Sequence, residues 1–160
     1  MNVPKVVHIL VDHEVDFVIL GGWSGILHGS HLPTEDLDIC FSRQRSNLRR
    51  LAEALAPFHP RLRDLPPGLP FVWDEATLQN GTVFTLSTDL GAIDLLAEVS
   101  GVGSFDEVKA HSILVNAFDR TVRTLDLPTL IKAKRAAGRE KDLRALPELE
   151  SLLEAESPED

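Results

Sequence analysis

Two neighbouring stretches decide the fold: Phe17-Val18-Ile19-Leu20-Gly21-Gly22-Trp23-Ser24 and, shortly after it, Thr34-Glu35-Asp36-Leu37-Asp38-Ile39. In the first, Phe17 to Leu20 reads as a buried strand, Gly21-Gly22 as a tight turn, and Trp23 to His28 as a short helix ending at Gly29. Glycines at a strand exit let the backbone approach a ligand, and free N–H groups at a helix start favour an anion. Ser24 adds a hydroxyl at that point. In the second stretch side chains alternate between faces, so Asp36 and Asp38 project one way while Leu37 and Ile39 point into the core. Two carboxylates side by side repel, and a hard cation between them, typically Mg²⁺ with nucleotide phosphates, relieves the repulsion.

A third acid lies farther on. Thr82-Val83-Phe84-Thr85-Leu86-Ser87 alternates as a strand, and Thr88-Asp89-Leu90-Gly91 turns the chain into the apolar strand Gly91-Ala92-Ile93-Asp94-Leu95-Leu96. Such a hairpin carries Asp94 toward the first pair. Near the end, Leu130-Ile131-Lys132-Ala133-Lys134-Arg135-Ala136-Ala137-Gly138-Arg139-Glu140-Lys141-Asp142-Leu143 gathers basic residues on helical turns. They suit phosphates, or alternatively a solvated face paired with Glu140 and Asp142.

Gly-Gly-x-Ser, a spacer with His28-Gly29, Thr-x-Asp-Leu-Asp-Ile, the acid within a later strand and the Lys-Arg…Arg-x-Lys-Asp-Leu helix occur in this order. Together they resemble the nucleotidyltransferase superfamily, and in particular small bacterial members related to abortive-infection and toxin–antitoxin nucleotidyltransferases. The resemblance implies an α/β (α+β) nucleotidyltransferase fold with a small mixed β-sheet and helices packed mainly on one side. It implies that Asp36, Asp38 and Asp94 are catalytic and bind two Mg²⁺ ions, or Mn²⁺ in their place. Gly21, Gly22, Ser24, Lys134, Arg135, Arg139 and Lys141 would bind the nucleotide. The implied reaction transfers a nucleoside monophosphate from a nucleoside triphosphate such as ATP to an acceptor hydroxyl. RNA, particularly a tRNA end, is the leading acceptor, a hydroxylated antibiotic the second, and a cognate antitoxin an expected protein partner. A non-catalytic protein of the same fold, binding nucleotide or a partner, is the alternative from another class. Two departures stand out: Leu32 occupies a place where relatives often carry a basic residue, and Ala145 one where many carry an acid.

Bulk properties fit one domain over 1–153 followed by an acidic tail, 154–160, expected to be frayed. The chain has 160 residues, 43% of them hydrophobic, and a formal charge of −9. That sign opposes a protein that coats nucleic acid but leaves room for a local basic groove. One cysteine excludes an internal disulfide, and no apolar run reaches membrane-spanning length. The start Met-Asn-Val-Pro-Lys leads into an amphipathic helix rather than a secretory signal, so a cytoplasmic location is expected.

Elsewhere, Val6, Val7, Ile9, Leu10 and Val15 give a first helix its apolar face, and Ser46 is the expected N-cap of a helix carrying Leu48, Leu51 and Leu55. His59 to Asp74 holds four prolines and reads as an irregular excursion rimming the site. Ser104 is expected to cap a helix from Phe105 to His111, and Ile113 to Leu125 to form a hairpin turning near Asp119-Arg120. Asp126 or Leu127-Pro128 begins the basic helix, and Leu143 to Leu153 a last one opened or kinked by Pro147. His28 and His31 are candidates for nucleotide contact, although histidines beside loops are commonly incidental. Cys40 shares strand parity with the acids but reads best as a small buried hydrophobe. Trp23 reads as a packing residue.

Overall fold

The computed structural model describes residues 1–156. A seven-stranded mixed sheet is its frame. Along the chain come α1 (Val3–Asp12), β1 (Phe17–Leu20), α2 (Gly21–Leu27), β2 (Leu37–Phe41) and α3 (Arg45–Leu55). There follow β3 (Arg61–Leu62), α4 (Glu75–Gln79), β4 (Val83–Thr88), β5 (Gly91–Leu96), β6 (Glu98–Val99), β7 (Gly103–Ser104) and α5 (Phe105–Ala110). The described chain closes with β8 (Ser112–Ala117), β9 (Arg120–Leu125), α6 (Leu127–Ala137) and α7 (Glu140–Glu156). The sheet order is β3-β4-β5-β2-β1-β9-β8, and β6 pairs with β7 in a separate ribbon. β2 runs parallel to β5, β1 runs parallel to β9, and the other neighbours are antiparallel.

Helices lie on both faces of this sheet, not mainly on one. Ile39, Phe41, Ile93, Leu95 and Leu86 pack with α1, α3 and α4 on the first face. Val18, Leu20, Cys40 and Leu125 pack with α5, α6 and α7 on the second. The reason is visible in β1, whose four apolar residues are all buried. A strand with no polar alternation needs cover on both sides. The second face is covered only over part of its width, because Val83 on β4 is exposed and Thr85 and Ser87 are half-buried.

Local sequence explains most boundaries. The Asn2 side chain accepts from the Lys5 N–H at the start of α1, and Asp126 accepts from Thr129 N–H at the start of α6. Gly138, with φ +65°, ends α6 in the left-handed conformation. The β8–β9 hairpin turns at Phe118-Asp119, both at positive φ, as a primed turn requires. Other boundaries differ from expectation. Gln44 rather than Ser46 precedes α3, and Ser104 sits at the start of α5 without a side-chain cap bond. Pro147 does not open a new helix but lies inside α7, which runs through it to Glu156. The proline-rich excursion contributes β3 to the sheet edge and ends in α4, which Asp74 caps through Thr77 N–H. Of the acidic segment 154–160, the first three residues continue α7 and the remaining four lie outside the described residues.

Leu55 is fully buried in the first-face core. Leu55→Ala is expected to lower unfolding free energy by about 2–5 kcal/mol, read from urea denaturation. A change below about 1 kcal/mol would mean that this face is not closely packed.

Candidate active site

Strand register assembles the acids. In the parallel β2–β5 pair Asp38 stands opposite Asp94, and in the antiparallel β1–β2 pair Leu20 stands opposite Asp38. Asp94 in turn faces Thr85 of β4. Asp36 precedes β2 at its open end, where the Thr34 hydroxyl donates to the Asp36 carbonyl at 3.4 Å. Leu37 and Ile39 are fully buried on the opposite face, so the alternation expected from sequence holds.

The two glycines are not a separate turn before a helix; they form the first turn of α2 itself. Gly21 has φ +60°, and a Cβ placed there would lie 2.3 Å from Asp38 Oδ2. A Cβ on Gly22 would lie 2.6 Å from Thr34 Oγ1. The glycine bend is thus what allows the carboxylate and the Thr34 loop to close against the strand exit.

Burial, then the charges of Asp94 and Asp36, push the Asp38 carboxyl up to about 7, with Lys141 opposing them. Asp38 Oδ1 is buried without a hydrogen-bond partner. A buried carboxylate oxygen calls for a donor or a cation, and hard oxygen ligands from three acids suit Mg²⁺. The side chains are not, however, poised as a finished cage: among the described residues no group of three His, Cys, Asp or Glu has a metal-holding arrangement. Arg63 stands among them instead. Its Nη2 donates to Asp94 Oδ1 and lies 3.9 Å from Asp36 Oδ2, while Nη1 donates to the Leu86 carbonyl at 2.6 Å.

On the other side of Asp38 a cavity of about 410 Å³ opens between the glycines, the loop 30–36 and the α6–α7 corner. Lys134, Arg139 and Lys141 line it together with Asp36 and Asp38. Asp142 organises two of these cations, with Lys134 Nζ at 3.7 Å and Arg139 Nε at 2.8 Å. Burial alone would raise the Asp142 carboxyl, but the Arg139 hydrogen bond and both positive charges hold it below its ordinary value. Burial lowers the Lys134 ammonium, against the pull of Asp142 and Asp38. Glu148 of α7 accepts from the Ser30 hydroxyl and the His31 N–H, tying the loop to the helix.

Gly21, Gly22, Lys134, Arg139 and Lys141 are therefore brought to the acids, whereas Ser24 and Arg135 are not. Ser24 is fully buried, 2.6 Å from the Thr124 hydroxyl, which itself donates to the Ile19 carbonyl. Arg135 projects outward to Glu150 at 2.6 Å. Successive residues of α6 point about 100° apart, so Lys134 inward dictates Arg135 outward. His28 Nε2 bonds the Leu125 carbonyl, and Trp23 packs edge-on against Phe118. Cys40 is buried in the second-face core, and burial raises its thiol to about 12. Leu32 and Ala145, the two departures, both line the cavity. Arg63 had no individual role in the sequence reading, and Asp142 entered only as an ion-pair partner of the basic residues, which it is for Lys134 and Arg139. Arg63 follows β3 directly and reaches Asp94 through the pairing of β3 with β4, which no local pattern announces.

Because the Asp38 carboxyl is raised from 3.8 to about 7, the folded protein binds its proton more tightly than the unfolded chain. The stability it carries is complete below about pH 4 and lost as pH rises through about 7. Asp38→Asn, unfolded with urea in chelator, is expected to exceed the wild type by about 2 kcal/mol at about pH 8 and to lose that advantage near pH 4. An advantage independent of pH would contradict the burial of this carboxylate.

No family model matches the sequence, and no curated protein matches it. Solved structures do. The lincosamide antibiotic adenylyltransferase LnuA, in a lincomycin-bound crystal structure, superimposes with a TM-score of 0.61 at 14% identity, covering 92% of this chain and 94% of its own. TM1012 of Thermotoga maritima, named as a candidate nucleotidyltransferase, gives 0.55 at 14% identity over 92% and 94%. At that identity the likeness speaks to architecture, and it spans almost the whole of each chain. This chain has the nucleotidyltransferase fold.

Proposed function

We propose that this chain transfers a nucleoside monophosphate from a nucleoside triphosphate to the hydroxyl of a small-molecule acceptor. The observation that carries the reading is the buried, unpartnered oxygen of Asp38 beside a cavity lined by Lys134, Arg139 and Lys141. Mg²⁺ held by Asp36, Asp38 and Asp94 would stabilise the charge that develops at the attacking and departing oxygens and acidify the acceptor hydroxyl. The three cations bind the triphosphate, and the backbone at Gly21 and Gly22 comes close enough to support it. Lys134 and Arg139 keep their orientation through Asp142. Asp94, on the side away from the cavity, receives the acceptor proton as the new phosphorus–oxygen bond forms and pyrophosphate departs with the old one.

For the acceptor, a small hydroxylated molecule is preferred over RNA. Arg45 pairs with Glu75, Arg120 with Asp12, Arg135 with Glu150 and Arg144 with Glu140. Arginines already neutralised in this way add little to phosphodiester affinity, which depends on uncompensated positive charge. A second cavity, about 510 Å³, lies along residues 61–71 and is lined by Arg63 with Leu65 and Phe71. Its size is that of a small-molecule site. LnuA, of the same fold, is a lincosamide adenylyltransferase.

Purified protein with Mg²⁺ and each α-³²P nucleoside triphosphate should label a member of a panel of hydroxylated compounds that includes lincomycin. Asp38→Asn should reduce labelling by more than about a hundredfold, since direct ligands outweigh the outer-shell partners that already cost up to that much. Label on total RNA alone would move the acceptor back to RNA. Nucleotide binding without transfer to anything would make the protein a binding module.

A further inference from the structure

We propose that Arg63 is a resident counter-cation that keeps the metal site closed, competing with divalent metal for Asp94 and Asp36 and thereby setting the site's metal affinity. This rests on the reading of the three acids as metal ligands.

Asp94 stands opposite Asp38 in the β2–β5 register, and the positive charge in contact with it is the Arg63 guanidinium. The same Nη2 reaches Asp36 at 3.9 Å, so one nitrogen spans two of the three acids. A metal that used Asp94 Oδ1 would need the oxygen that Arg63 now holds, and a guanidinium left in place would repel it. The attachment is divided in a way that permits release. Arg63 N–H donates to the Thr85 carbonyl at 2.9 Å, so the backbone stays on β4 when the guanidinium leaves, and release gives up only the Nη1 bond to the Leu86 carbonyl along with the Nη2 contacts to the acids. The side chain is one-quarter exposed and borders the cavity along 61–71, which gives the released guanidinium somewhere to go. The presence of Arg63 also accounts for the missing cage: the acids are neighbours, yet no three of the candidate ligands are arranged to hold an ion among the described residues.

The test is a Mn²⁺ titration of the metal-stripped full chain, with free Mn²⁺ followed by electron paramagnetic resonance. It compares wild type, Arg63→Ala, Arg63→Lys and Asp94→Asn. Arg63→Ala should bind Mn²⁺ about tenfold more tightly than wild type, the scale of one charge-assisted hydrogen bond. Arg63→Lys, which keeps the charge but not the fork, should fall between them. Mn²⁺ should also raise the melting temperature of Arg63→Ala more than that of wild type. If Arg63→Ala is poorly folded, the Lys variant carries the comparison in the same direction. Equal or weaker binding by the Arg63 variants, with Asp94→Asn still weakening the wild type, overturns the inference and leaves the metal reading standing. No Mn²⁺ binding by any of the proteins overturns both.

Discussion

The parallel pairing of β2 with β5 sets two carboxylates, Asp38 and Asp94, side by side on a partly covered sheet face. Like charges in a low-dielectric setting repel strongly, and this fold meets the repulsion from two directions. Arg63 comes from the sheet edge and takes Asp94, while Lys141 and Lys134 approach from the α6–α7 corner and act on Asp38. The glycine bend closes the remaining side, because only a residue without Cβ can lie against Asp38 Oδ2. The positions of Gly21, Arg63, Lys134 and Lys141 all become intelligible as responses to one register.

The basic corner has its own organiser. Gly138 breaks α6 from α7 in the left-handed conformation, and the buried Asp142 just beyond it gathers Lys134 from before the break and Arg139 from within it. Cations that would otherwise splay apart are held on one wall of the cavity. A net charge of −9 is compatible with three cations on one wall of this cavity, because two of them are gathered locally by one buried acid rather than by an excess of basic residues over the surface.

Much of this was legible in the chain. The Asp-x-Asp alternation, the apolar strand around Asp94 and the basic helix name the elements and the face each acid occupies, because strand parity is a local property. The resemblance to nucleotidyltransferases supplied their order, and the fold agrees with it. What was not legible depends on pairing across long sequence separations. Ser24 was aimed at the ligand, but the Thr124 hydroxyl, a hundred residues away, draws it into the core. Arg135 was grouped with Lys134, although adjacent helical positions cannot share a face. Arg63 lies in the excursion read as rimming the site, but its contact with Asp94 depends on β3, two residues long, pairing with β4. The apolar run of β1 did carry the information that both sheet faces are covered.

Cys40, the single thiol, follows Asp38 by two residues on β2 and is sealed beneath the second-face helices. With its ionisation suppressed by burial, it is inert toward alkylating reagents as long as those helices stay docked. Its labelling rate is consequently a built-in gauge of how often the helical shell on the carboxylates' own face detaches, readable without adding any probe to the chain.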